Sequence, residues 1–246
     1  MEKEKNIFCR QAGVLSHARQ RRLGQARVAV FGLGGVGGIC AELLVRAGVG
    51  HLLVADFDRF EESNFNRQIH AQKETLGMKK ADVFAKKAKS IDPEIEIRKI
   101  SKKLEYESQG FFSGSLASFS PHVVIDTMDS VGSRTLLWRM CKKKRIAYVY
   151  SAASGERGMV SVVRRPADLE RILHLPSFGR PDEEVESCLV HYPQCRSAWG
   201  PATNLVGVLA ANAALNYLLG KPYPDAPKFW MSDSFDEKVV RKEKLA

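Results

Sequence analysis

The stretch VAVFGLGGVGGICAELLVRAGVG, residues 28 to 50, constrains the fold more than any other part of the chain. An apolar run rich in Val reaches a turn with the spacing Gly32-x-Gly34-x-x-Gly37. A segment with helical apolar spacing comes next and ends on Gly48 and Gly50, a C-cap signal. Gly32 and Gly34 permit a tight turn and close backbone approach to a phosphate. Gly37 lets the helix after it pack near the strand, and the helix N-terminus offers free N–H groups and a positive dipole end. A second apolar run, residues 51 to 56, ends on Asp56, where a carboxylate accepts hydrogen bonds from ribose hydroxyls. A strand-helix-strand unit with this acid predicts nucleotide binding. The glycines alone do not separate a redox dinucleotide from another phosphate compound.

The alternation continues downstream. Residues 79 to 90 read as a basic amphipathic helix and EIEIRKI as an alternating strand. HVVIDTMD reads as a buried parallel strand, residues 132 to 144 as a helix, and IAYVYSAAS as the next strand. The predicted class is α/β: a Rossmann-like, mostly parallel sheet with helices on both faces and an antiparallel extension toward the C-terminus. One domain spans residues 1–246. Within it, residues 1–26 form an N-terminal helical arm and residues 27–165 the nucleotide-binding core. Residues 166–200 form a crossover loop rich in proline and acid, and residues 201–246 a C-terminal helix with edge strands. The apolar run at 204 to 219 carries Asn204, Asn212 and Asn216 and is shorter than a typical membrane span. It reads as a helix packed in the core or at a subunit interface.

Thirty-eight Lys and Arg against 28 Asp and Glu leave a net charge of +10, which suits an anionic partner. The five cysteines, Cys9, Cys40, Cys141, Cys188 and Cys195, are widely spread. That argues against a disulfide framework and for a reducing cytoplasm.

The residues after Asp56 exceed the needs of a nicotinamide site. The span DFDRFEESNFNRQIHAQKETLGMKKAD supplies Asp56, Asp58, Asn66, Arg67, Gln68 and Lys80. Arg and Lys converging near a phosphate turn suit a triphosphate better than a diphosphate already held by backbone. Asp129, just after a strand, is placed to hold the magnesium a triphosphate requires. Each residue also has a plainer reading: Arg67 in a surface ion pair, Lys80 solvated on a helix, Asp129 capping the helix that begins at SVGSR.

GLGGVGG, DFD, SNFNRQIHA, GMKKA and IDTMDS, in this order, resemble the ThiF/MoeB/HesA superfamily of ubiquitin-activating-enzyme-like proteins. The resemblance covers nearly the whole chain, from FCRQ to GPATNLVGVLAANAALNYLLG. It implies that Gly32, Gly34, Gly35 and Gly37 form the phosphate turn and that Asp56 binds ribose. It implies further that Asn66, Arg67, Gln68 and Lys80 surround the phosphates and that Asp129 is the magnesium-associated acid. Arg10 resembles an N-terminal arginine that reaches into a partner subunit's site, which implies a homodimer. The implied reaction is ATP-dependent adenylation.

The implied acceptor is the C-terminal carboxylate of a small ubiquitin-like sulfur-carrier protein, converted to an acyl-adenylate. A second branch is tRNA threonylcarbamoyladenosine dehydratase, which cyclises a modified tRNA base. NRQIHA and the +10 charge favour that branch, whereas CRSAWGPATNLVGVLAANAALNYLLG favours the sulfur-carrier activators. Cys195 matches a loop cysteine of those activators, where a thiolate beside Arg196 could take part in sulfur transfer. Structural zinc is not expected, since the chain has no C-x-x-C and Cys188, His191 and Cys195 offer three ligands without a fourth. Two readings from other classes remain: an NAD-dependent oxidoreductase, which leaves Arg67 and Lys80 unexplained, and a nucleotide-binding scaffold without catalysis, which has no need of Asp129 with Arg67.

Overall fold

In the computed structural model the first two apolar runs pair as expected. β1 (Arg27–Phe31) and β2 (His51–Ala55) lie parallel, with α2 (Gly37–Ala47) between them. The N-terminal arm holds α1 (His17–Gly24). The structure describes residues 7–192 and 197–245. The remaining elements are α3 (Lys80–Ile91), β3 (Glu96–Ile100), α4 (Gln109–Phe119), β4 (Val123–Asp126), α5 (Val131–Lys144), β5 (Ala147–Ser154) and β6 (Arg157–Val163). After them come α6 (Leu169–Ile172), α7 (Val185–Leu189), α8 (Gly200–Leu219), β7 (Lys228–Asp233) and β8 (Val240–Lys244).

The sheet order is β3-β2-β1-β4-β5-β6-β7-β8. β3 through β5 pair in parallel, and β6, β7 and β8 add antiparallel. The central strands read as unbroken apolar runs because both of their faces are covered. Val28 and Val30 enter one core with Leu52, Val54, Val123 and Ile125, beneath α2, α3 and α8. Ala29 and Phe31 enter the other with Leu53, Ala55 and Val124, beneath α4 and α5. Each such fully buried Val, Leu, Ile or Phe contributes about 1.5–3 kcal/mol relative to exposure.

Helix ends obey their local signals. α2 stops at Gly48, which adopts φ +89° and caps the helix from the left-handed region. Ser130 caps α5, its side chain accepting the Ser133 N–H. The N-cap that the sequence allowed for Asp129 therefore belongs to its neighbour.

α8 is long and apolar enough to cross a bilayer, but half of it is buried against the rest of the chain. It packs on α2, β5 and β6. Gly207 makes this possible, since a Cβ there would lie 2.4 Å from the Val36 carbonyl oxygen.

Two stretches differ from the sequence reading. α4 is a helix in QGFFSGSLASF, whose glycines and serines hide a face formed by Phe112, Leu116 and Phe119. The crossover loop is partly helical, carrying α6 and α7. Arg139 of α5 anchors it through Glu170 (2.7 Å), Asp182 (2.8 Å) and the Ser177 carbonyl (2.7 Å).

Candidate active site

The strand order reverses between β1 and β4, and a crevice opens beyond the carboxyl ends of those strands. A cleft of about 840 Å³ occupies this position. Three loops build its floor: the glycine turn after β1, the acidic loop after β2, and residues 127 to 130 after β4.

Gly32 sits at φ +93°, and a Cβ there would lie 2.8 Å from the Thr127 carbonyl oxygen. Gly37 is tighter, since its Cβ would meet the Gly32 carbonyl oxygen at 2.0 Å. The turn is fastened from β4 by Thr127, whose Oγ1 lies 2.8 Å from both the Phe31 and Gly32 carbonyl oxygens. Gly37→Ala is therefore expected to cost about 1–3 kcal/mol, the usual range for overpacking. Denaturant titration checks this, and an unchanged midpoint would contradict the contact.

Asp56 is buried and grips the turn. Its Oδ2 accepts the Leu33 N–H (2.6 Å) and its Oδ1 the Asp58 N–H (2.8 Å). A carboxylate offers about four acceptor directions, so two donors leave room for ribose hydroxyls. Burial raises the Asp56 carboxyl above its ordinary range, opposed by Lys80 and the two backbone donors. Lys80, the first residue of α3, is also buried and sets its Nζ 3.0 Å from Asp58 Oδ2. It is not the solvated lysine that its helix pattern allowed.

The NRQ block forms the opposite wall. Arg67 is half-buried, and its Nη1 donates to the Ser63 carbonyl (2.7 Å) and to Asn66 Oδ1 (2.9 Å). No carboxylate among the described residues holds it in a surface ion pair. Gln68 is buried with Oε1 unpaired among the described residues. Asn204 of α8 donates to the Arg67 carbonyl (3.0 Å). Gly200 lets α8 begin against this block, since a Cβ there would lie 2.4 Å from the Asn66 carbonyl oxygen.

Gly32, Gly34, Gly35, Asp56, Asp58, Asn66, Arg67, Gln68, Lys80 and the exposed Asp129 all line the one cleft. Gly37 stands behind it at the start of α2. Arg10 does not join them. It is exposed in a single turn, Cys9–Gln11, and Gln11 donates to the Arg46 carbonyl (2.8 Å) at the far end of α2. Cys195 and Arg196 lie outside the described residues. Cys188 is half-buried in α7. Among the described residues no three His, Cys, Asp or Glu side chains form a metal-holding group.

Sequence reasoning passed over Thr127, Asp126, Arg134, Tyr148 and the role of Asn204. Asp126 showed only as the last residue of an apolar strand, and Arg134 as one of many helix cations. Their partners are set by the packing of α5 on β4 and β5.

A doubly wound α/β sheet with a glycine turn, an acid at the end of the second strand and two cations on one cleft is the architecture of a nucleotide-binding protein. The ThiF family model matches residues 8–245, and the chain belongs to the ThiF family. It is 32% identical to the molybdopterin-synthase adenylyltransferase of Salmonella typhimurium over 217 residues, 87% of this chain and 82% of that protein. It is 29% identical to the tRNA threonylcarbamoyladenosine dehydratase of Escherichia coli over 163 residues, 66% of this chain and 59% of that one. The chain spans 52 to 59% of the length of three such dehydratases that it matches. The crystal structure of the Escherichia coli dehydratase in complex with ATP superposes with a TM-score of 0.69 at 24% identity, over 87% of this chain and 93% of that one. That likeness is one of fold.

Proposed function

We propose that this protein is an ATP-dependent adenylyltransferase that activates the C-terminal carboxylate of a small ubiquitin-like sulfur-carrier protein. The observation that carries the reading is the convergence of Arg67, Lys80 and Asp129 on the cleft that holds the glycine turn. A dinucleotide site has no use for these three charges beside its pyrophosphate, so the oxidoreductase reading falls behind.

The acceptor carboxylate attacks the α-phosphorus of ATP, forming an acyl–O–P bond. The bond from that phosphorus to pyrophosphate breaks, and pyrophosphate leaves. No side chain becomes covalent in this step. The turn and α2's free N–H groups hold phosphate, Asp56 holds ribose, and Arg67 and Lys80 face the charge that develops on the phosphates. One exposed carboxylate at a phosphate cleft fits magnesium, which keeps several waters and takes few protein ligands. Asp129 would hold it, and the ion would neutralise charge on the departing pyrophosphate.

The carrier is preferred over tRNA because similarity to the adenylyltransferases runs through 202 to 217 residues, against 135 to 163 for the dehydratases. The end of β5 lines the cleft with Ala152, Ala153 and Ser154, small side chains that suit a narrow peptide tail. The +10 charge favours the second reading, the tRNA dehydratase. We place the protein in the cytoplasm as a homodimer, the compartment following from the wide spacing of its cysteines. ATP–pyrophosphate exchange with carriers ending in Gly-Gly, and separately with tRNA, tests the choice. Exchange only with tRNA would overturn the carrier.

Lys80→Ala and Arg67→Ala should each slow exchange by about a hundredfold, the scale for deleting one donor to developing charge. A loss confined to KM, with turnover at saturation intact, would mean uniform binding instead.

A further inference from the structure

Three side chains outside the nucleotide set meet at the base of the cleft, where Arg134 is itself part of the lining. Asp126, the last residue of β4, is fully buried. Its Oδ1 accepts the Met128 N–H (3.0 Å), and its Oδ2 accepts the Tyr148 hydroxyl (2.5 Å). Arg134, in the first turns of α5, sets Nη1 3.3 Å from the same Oδ2. Its Nε donates to the Met128 carbonyl, and its Nη2 donates to the Ser151 carbonyl of β5 at 2.7 Å. The guanidinium lies over the Tyr150 ring, 5.0 Å from its centre.

The backbone of Met128 is thus held on both sides by opposite charges, its N–H by Asp126 and its carbonyl by Arg134. Thr127 on one side of it grips the glycine turn, and Asp129 on the other side faces the cleft. Ser151 and Tyr150 belong to the strand that continues into Ala152, Ala153 and Ser154, which line the cleft. A buried ion pair is a poor device for stability alone, because its desolvation offsets most of its attraction and apolar residues of equal volume do as well or better. Its use here is geometric.

We infer that Arg134, paired with Asp126, is a positioning residue that fixes where Asp129 stands relative to both the glycine turn and the acceptor end of the cleft. This role rests on the adenylation reading. The planar fork of arginine reaches Met128, Ser151 and Asp126 from one side chain, which the ammonium of lysine cannot do. Arg134→Lys keeps the charge and loses the fork. A displacement of about 1 Å at a reacting group is worth on the order of a hundredfold in rate.

Arg134→Lys should therefore lower kcat for ATP–pyrophosphate exchange by about a hundredfold while KM for ATP stays near the wild-type value. Calorimetry gives a readout that needs no acceptor and no turnover. The variant should bind AMP as the wild type does, since AMP uses the turn and Asp56. It should lose the gain in ATP affinity that magnesium gives the wild type over a chelator. A wild-type kcat, or equal losses of AMP and ATP binding, would overturn the inference. Should Arg134→Lys fail to fold by its melting curve, Asp126→Asn decides. Asn can still accept the Met128 N–H but removes the charge that orients Arg134, so the same split is expected, and wild-type behaviour overturns the inference. A wild-type protein inactive with every acceptor would overturn the adenylation reading, while the binding comparison would still decide the role of Arg134.

Discussion

Asp129→Asn should lower ATP–pyrophosphate exchange on the order of a thousandfold, the rate equivalent of about 4 kcal/mol. The substitution keeps the volume of the side chain and removes its charge, which is what a magnesium ion carried by a triphosphate would use. The fold should not change. Asp129 is exposed, and α5 is capped by Ser130 rather than by Asp129. A melting curve that matches the wild type is therefore part of the expected result. Near-normal exchange from a protein with that melting curve would remove Asp129 from the chemistry. It would also remove the reason for placing magnesium at this end of the cleft.

Mixing Arg10→Ala protein with Asp129→Ala protein should restore activity that neither homodimer has. The turn that carries Arg10 rests against the carboxyl end of α2, while the site lies at the amino end of that helix. Eleven residues of helix separate the two ends, about 16 Å at 1.5 Å per residue. Within one chain Arg10 is thus on the wrong side of α2 to serve the cleft. A two-fold dimer makes any contact with a partner's cleft reciprocal. Each mixed dimer would contain one site with both groups intact, so recovery should approach about half of the wild-type value per mixed dimer. Subunit exchange is verified by mass spectrometry of differently tagged chains. No recovery despite proven exchange would mean that Arg10 serves no partner site.

The parts of the molecule legible in the sequence share a physical origin. β1, β2, β4 and β5 could be read because central parallel strands are apolar on both faces, and such short apolar runs closed by turn residues have few other uses. The glycine turn could be read because φ +93° at Gly32 and the 2.0 Å approach at Gly37 leave no room for a side chain, so the backbone's needs are written as residue type. Asp56, Arg67, Lys80 and Asp129, which line one cleft, could be singled out by their place near the glycine turn, although Arg67, Lys80 and Asp129 each kept a plainer reading. α4 was missed because its polar and small residues dilute the apolar face that only contact with β1 and β4 reveals.

What tertiary structure alone decided concerns partners. The residue types at 126 and 134 are visible in the chain, but an Asp at a strand end and an Arg in a helix are ordinary. Their pairing across Met128 depends on the angle at which α5 packs against β4 and β5, and no local pattern encodes that angle. Lys80 is similar: helix spacing puts it on a solvent face, and the Asp58 loop folds over it and buries it. Arg10 is the reverse case, since the sequence marks it for a nucleotide site and the fold sets it beyond the far end of α2. The sequence by itself determined the strand-helix-strand frame and the chemical kinds of group around the glycine turn, because steric limits and burial act residue by residue. The fold decided which of those groups share one cleft and which charge holds which loop, because such contacts join segments distant in the chain and exist only once the layers are packed.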